Sequence, residues 1–263
     1  MAGASAEHTS GPAVLVIQPD DIVGIARFGR WLADAGVECR IVRPYAGEPV
    51  PDRMAEHGLL ILGGRMSAND DHDHPWLSDV RKLLRHAVES STPTLGICLG
   101  GQLLARAMGG TVERGDRGME TGVVRVRWRP EADVDPLVTG LPSPLTAVSS
   151  HRDMVAVLPP GASWLGSSEM YPHQAFRVGA RAWGVQFHPE ASIDDYRRWR
   201  AVSTASDPET LERMRVGERE LERLDAQVAA HCRQLAARFG EHVCARWRQR
   251  AAAQASSLRG HGR

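Results

Sequence analysis

Apolar residues fall along this chain in two alternating patterns. Short unbroken apolar runs occupy residues 13–17, rich in β-branched residues, and 59–62. Such runs predict strands buried on both faces. Between them, apolar residues recur at helical spacing over residues 22–35, with Asp20 and Asp21 before the stretch and Gly36 placed to end it. Residues 37–42 read as a second strand, residues 54–57 as a short connection, and Gly63-Gly64 as the stop of the third strand. An amphipathic helix follows over 76–89, a fourth strand over 94–97, and a helix over 99–108 closed by Gly109-Gly110. Strands alternating with helices of this length imply βαβ units and an α/β fold, a mostly parallel sheet flanked by helices.

The pattern changes after Thr111. Strand-like runs at 122–128, 146–149 and 182–187 are separated by Pro- and Gly-rich turns, which reads as a small antiparallel extension of the sheet. Beyond Ser192 the chain is helical and highly charged, with helices expected over 208–227 and 228–250. The domain reading is a disordered N-terminus over 1–11, one α/β domain over 12–200, a helical extension over 201–253, and a disordered, Gly-rich basic tail over 254–263.

Composition narrows the picture. Lys plus Arg balances Asp plus Glu at 32 each, so no global field favours nucleic acid or an anionic membrane. Almost all the basic residues are Arg. The four cysteines, Cys39, Cys98, Cys232 and Cys244, are widely spaced without a CxxC pair, which argues against a disulfide-stapled secreted domain. The run 13–17 is too short for a signal segment or a membrane span. A cytoplasmic protein is expected.

Two stretches carry chemistry. In Gly96-Ile97-Cys98-Leu99-Gly100 a buried strand runs into a cysteine and a helix starts directly after it. A sharp strand-to-helix turn of this kind presents a nucleophile at the sheet edge, and the flanking glycines permit close backbone packing. The helix N-terminus and any adjacent protonated His favour the thiolate, and the Leu99 amide points where an oxyanion would form. Read alone, Cys98 could equally be a small buried hydrophobe. The second stretch is the strand ending in His188-Pro189-Glu190. In extended chain, residues i and i+2 share a side, so Glu190 starts beside His188 and can fix its tautomer as the third group of a triad does.

Together the elbow and the His-Pro-Glu strand end resemble the class I, triad-type glutamine amidotransferases, most of all stand-alone proteins similar to the GMP synthase amidotransferase domain. Supporting stretches are residues 62–70, 118–122, 150–153, 174–177 and 184–190. The resemblance implies a flavodoxin-like sheet and a catalytic triad of Cys98, His188 and Glu190. It implies an oxyanion hole from the Gly64 and Leu99 amides, with Gly63 giving the turn its freedom. Gln102 and the backbone around Ser150 and His151 would hold the amino-acid end of the substrate. The expected chemistry is hydrolysis of the γ-amide of glutamine through a glutamyl-thioester, with no cofactor and no metal. The sequence contains no P-loop GxxxxGK[ST], so ammonia would pass to an acceptor site on a separate synthase. The same triad could instead hydrolyse γ-glutamyl peptides or amines without a partner, or the fold could serve as a noncatalytic binding module. One departure is visible: Gly101 stands where many members carry His, which bears on the shape of the pocket.

Other polar clusters have plainer readings. The run 69–74 has metal-ligand types but reads as a solvated loop, with an Asp or Asn capping the helix that begins near Trp76. Cys39, Cys232 and Cys244 read as packing residues. His173 and Gln174 could rim the pocket or lie on the surface. The Arg/Glu-rich stretch 209–223 reads as a solvated helix face that could also cover the site.

Overall fold

The computed structural model describes residues 11–260, with side chains described to residue 256. The expected disorder of residues 1–10 and of residues 261–263 lies outside the described residues. The first half follows the alternation read above: strand β1 (Ala13–Ile17), helix α1 (Ala26–Asp34), β2 (Glu38–Val42), β3 (Gly58–Ile61), α2 (Trp76–Glu89), β4 (Thr94–Ile97) and α3 (Leu99–Ala107). The antiparallel part comprises β5 (Thr111–Arg114), β6 (Glu120–Trp128), β7 (Leu145–His151), β8 (Asp153–Val157), β9 (Ser163–Ser167), β10 (Ala175–Val178) and β11 (Ala182–Val185). Helices α4 (Ile193–Ala201) and α5 (Pro208–Gly260) complete the chain.

One nine-stranded sheet runs in the order β2-β1-β3-β4-β11-β10-β9-β6-β7. The pairs among its first five strands are parallel and the remaining pairs antiparallel. Strands β5 and β8 form a separate two-stranded sheet. Thus β4, which leads into Cys98, lies beside β11, which leads toward His188, and the register pairs Val185 with Ile97. Two cores flank the sheet. On one side α2 buries Leu77, Val80, Leu83, Leu84 and Ala87. On the other, α1 and α5 pack Phe28, Leu32, Leu235 and Phe239 against the sheet.

Three expectations are corrected. The first helix begins at Ala26 rather than Ile22, because Asp20 forms a turn instead of a cap: its Oδ1 accepts from the Ile22 amide and its Oδ2 from Arg65. Helix α2 starts on Pro75 with no side-chain cap from the 69–74 run. The C-terminal region is a single 53-residue helix, not two, and it carries on through residues 254–260, where the sequence expects disorder. No glycine or proline interrupts it near Gln227, and Met214, Leu221, Val228 and Leu235 recur every seven residues as one buried stripe. At Gly217 the helix crosses β6 so closely that a Cβ would lie 2.5 Å from Gly122 Cα. Short polar-flanked strands such as β9 and β10 carry too little alternation to be read individually. Among the described residues no helix is long and apolar enough to cross a membrane.

Candidate active site

Cys98 sits at the end of β4 with φ 51° and ψ −107°, a left-handed backbone outside the ordinary range of an L-residue. Such conformations cost about 1–3 kcal/mol and persist only where surrounding packing dictates them. Here the glycines dictate it. A Cβ on Gly96 would come within 2.4 Å of the Gly100 carbonyl oxygen, and one on Gly100 within 2.2 Å of the Ile61 carbonyl oxygen. The Cys98 amide donates to Val185 O at 2.7 Å, tying the elbow to β11.

His188 follows β11 and is anchored by its amide, which donates to Val148 O of β7 at 2.7 Å. Its Nδ1 lies 2.6 Å from Glu190 Oε1. Both side chains are buried, and Glu190 Oε2 has no hydrogen-bond partner among the described residues. Burial alone would push the imidazole down, but the Glu190 carboxylate and the Cys98 sulfur beside it outweigh that and hold it up at about 10. A carboxylate with an unsatisfied oxygen, buried beside the ring, favours the imidazolium. The indole of Trp199, from α4, packs on the ring with centroids 4.5 Å apart.

A cavity of about 600 Å³ opens over this constellation. Its lining includes Gly64, Cys98, Gln102 and His188, with Ser150, His151 and Asp153 from the β7–β8 region and Tyr196, Trp199 and Met214 from α4 and α5. A Cβ on Gly64 would meet Leu99 Cδ2 at 2.9 Å, so the two residues adjoin. Among the described residues neither the Gly64 nor the Leu99 amide donates to a protein acceptor. Gly63 is not in a left-handed conformation; its demand is space, since a Cβ there would lie 2.7 Å from His188 Cε1. That replaces the expected role in turn freedom with one of close approach.

The class I glutamine amidotransferase family model matches residues 27–198. The chain belongs to the class I glutamine amidotransferases. A subunit of the glutamine-hydrolyzing GMP synthase of Thermococcus kodakarensis is 33% identical over 184 residues, covering 70% of this chain and 92% of that protein. A glutamine amidotransferase from Thermotoga maritima superposes with a TM-score of 0.75 at 27% identity, covering 89% of this chain and 100% of that one. A glutamine amido transferase from Methylobacillus flagellatus gives 0.73 at 32% identity, covering 91% and 95%.

Within this amidotransferase the other sequence candidates separate. Gln102 lines the cavity, but its Nε2 is engaged by Asp153 O at 2.8 Å and Gln186 Oε1 at 3.2 Å. His151 lines the cavity too, with its ring bound to Glu120 and to Asp153 O, so both nitrogens are occupied. Burial pushes the Glu120 carboxyl up, yet His151, Ser168 and Gln174 together hold it below its ordinary value. Gln174 and His173 do not line the cavity: Gln174 is buried and donates to Glu120, while His173 binds Val155 O. In the 69–74 run, Asp70 accepts from the Ser67 amide and Asp71 pairs with Arg81 and Arg106. Cys232 is buried in the core; Cys39 and Cys244 are half-buried against it. Residues 209–223 are not wholly a solvated face, because Met214 reaches the cavity.

Sequence reasoning missed two residues. Trp199 gives no motif signal, being one of two aromatics, with Tyr196, in a charged helix. Gln186 has a signal, for it precedes His188 by two and so shares its side of the strand; its Nε2 donates to Cys98 Sγ at 3.6 Å.

Proposed function

We propose that this chain hydrolyses the γ-amide of glutamine, with Cys98 as nucleophile, His188 as general base and acid, and Glu190 orienting His188. What supports this reading most is one constellation: a thiol on a strained elbow beside a buried imidazole that is itself paired with a buried carboxylate. His188 takes the thiol proton, and the sulfur attacks the amide carbonyl. The Gly64 and Leu99 amides receive the oxyanion; losing one such donor costs about 2.7–4 kcal/mol. As the tetrahedral species collapses, the C–N bond breaks and His188 gives its proton to the departing ammonia. Water then attacks the thioester, His188 takes a proton from it, and the electron pair of the C–S bond returns to sulfur as glutamate forms. Ser150 and the backbone beside it, with Gln102, line the cavity where the amino-acid end would lie.

The ammonia acceptor belongs to a separate synthetase in this reading. Support comes from relatives whose names make them one subunit of a glutamine-hydrolyzing GMP synthase. The test is release of ammonia and glutamate from glutamine by the purified chain, with Cys98→Ala beside it. Turnover should vanish in Cys98→Ala. A substantial residual rate in that variant would remove Cys98 as nucleophile.

A further inference from the structure

The sulfur of Cys98 is approached by a second polar group, and that group belongs to a continuous buried chain. Gln186 is 4% exposed, and its Nε2 donates to Cys98 Sγ at 3.6 Å. Its amide cannot be turned around, because its Oε1 accepts from Gln102 Nε2 at 3.2 Å. Gln102 is fixed in turn, since the same Nε2 donates to Asp153 O at 2.8 Å. That carbonyl also lies 3.0 Å from His151 Nδ1, and His151 Nε2 lies 2.9 Å from Glu120 Oε2. Glu120 is held by Gln174 Nε2 at 2.7 Å and Ser168 Oγ at 2.6 Å. Both His151 nitrogens thus face oxygens that only accept. Every link has one workable direction, and the direction ends with an N–H aimed at the sulfur.

We infer that Gln186 is a further catalytic residue, a donor to the reacting sulfur beside His188, and that Gln102, His151 and Glu120 are positioning residues that hold it there. The inference rests on Cys98 being the nucleophile. A hydrogen bond to a charged acceptor inside a protein contributes about twice what a neutral one does. The Gln186 donor therefore favours the thiolate over the thiol before attack. It acts again in the second half-reaction, where water adds to the thioester carbon, the C–S bond breaks, and its electron pair returns to sulfur. A donor in place at that moment makes sulfur the better leaving group. Once the thioester is formed the sulfur is neutral and the bond to Gln186 is weak, so the contribution differs along the reaction as catalysis requires.

The experiment uses the full chain and three variants. Gln186→Met keeps shape and removes the donor. Gln186→Glu keeps the acceptor for Gln102 and also removes the donor. Glu120→Gln removes the charge at the far end. Iodoacetamide alkylation of the Cys98 peptide is followed by mass spectrometry across pH, beside kcat and KM for glutamine. For Gln186→Met we expect alkylation at neutral pH to slow and its profile to move to higher pH. We expect kcat to fall by about ten- to a hundredfold, as for a lost charge-assisted hydrogen bond, with KM changing by only about threefold. Glu120→Gln should move both readouts the same way by less. An alkylation profile and kcat in Gln186→Met equal to those of the unaltered chain would overturn the inference. If Gln186→Met does not fold, the same criterion is read from Gln186→Glu. Failure of the nucleophile assignment looks different: Cys98→Ala would then keep its turnover whatever Gln186 does.

Discussion

At the scale of single residues, the site is governed by space and charge. Gly63→Ala places a methyl group 2.7 Å from His188 Cε1. The imidazole must move, and displacements of about 1 Å can cost about a hundredfold in rate; we expect kcat on glutamine to fall by that order with the melting temperature little changed. The pH behaviour of His188 has a definite sign. Its folded value, about 10, lies above its ordinary 6.5, so its pairing stabilises the fold fully below the ordinary value and is lost as pH rises toward 10. Glu190→Gln removes the partner carboxylate, so the loss of stability between neutrality and pH 10 should shrink, read by thermal melts across pH. Glu120 has the opposite sign. Held below 4.5, it contributes above that pH and its contribution is lost on acidification, so Glu120→Gln should flatten the acid limb of the stability profile. Much of this level was legible beforehand. Cys98, His188 and Glu190 stand in local frames whose geometry follows from strand alternation and the strand-to-helix bend. The contacts of Gln102 and His151 were not legible, because their partners, Asp153 and Glu120, come from strands whose registers nothing in the local sequence specifies.

At the scale of elements, the parallel half was readable and the antiparallel half only in outline. Residues 59–62 and 94–97 are fully apolar or small and bounded by breakers, whereas β9 and β10 are four or five residues long with mixed exposure. Helix α5 shows the limit from the other side: its charge suggested a solvated face, but the seven-residue stripe is what packs. That helix passes close over β6 at Gly217, where it meets Gly122. Gly217→Val drives a branched side chain into backbone that cannot yield, and overpacking of this kind costs typically about 1–3 kcal/mol. We expect a lowered melting temperature and, because Tyr196 and Met214 adjoin this crossing and line the cavity, a raised KM for glutamine.

For the whole molecule, the sequence divides at about residue 200 and the structure does not. The family model ends at 198, yet Trp199, Arg200 and Met214 line the cavity, and α5 buries Leu221, Val228, Leu235 and Phe239 against the sheet and α1. A chain cut after residue 200 would bare this apolar face. We expect it to be insoluble or molten, checked by expression yield and near-ultraviolet circular dichroism. A folded, active fragment would show the helix to be an appendage.

Helix α5 runs from Pro208, near the cavity mouth, to beyond Arg250, which donates to the carbonyls of Ala55 and Glu56 at the far edge of the fold. At 1.5 Å per residue it is a rod of about 80 Å. Part of the doorway to Cys98 is therefore hung on a beam bolted along its length, not on a free flap. Losing the Arg250 anchor at the remote end of the beam is expected to register at the entrance as a raised KM for glutamine.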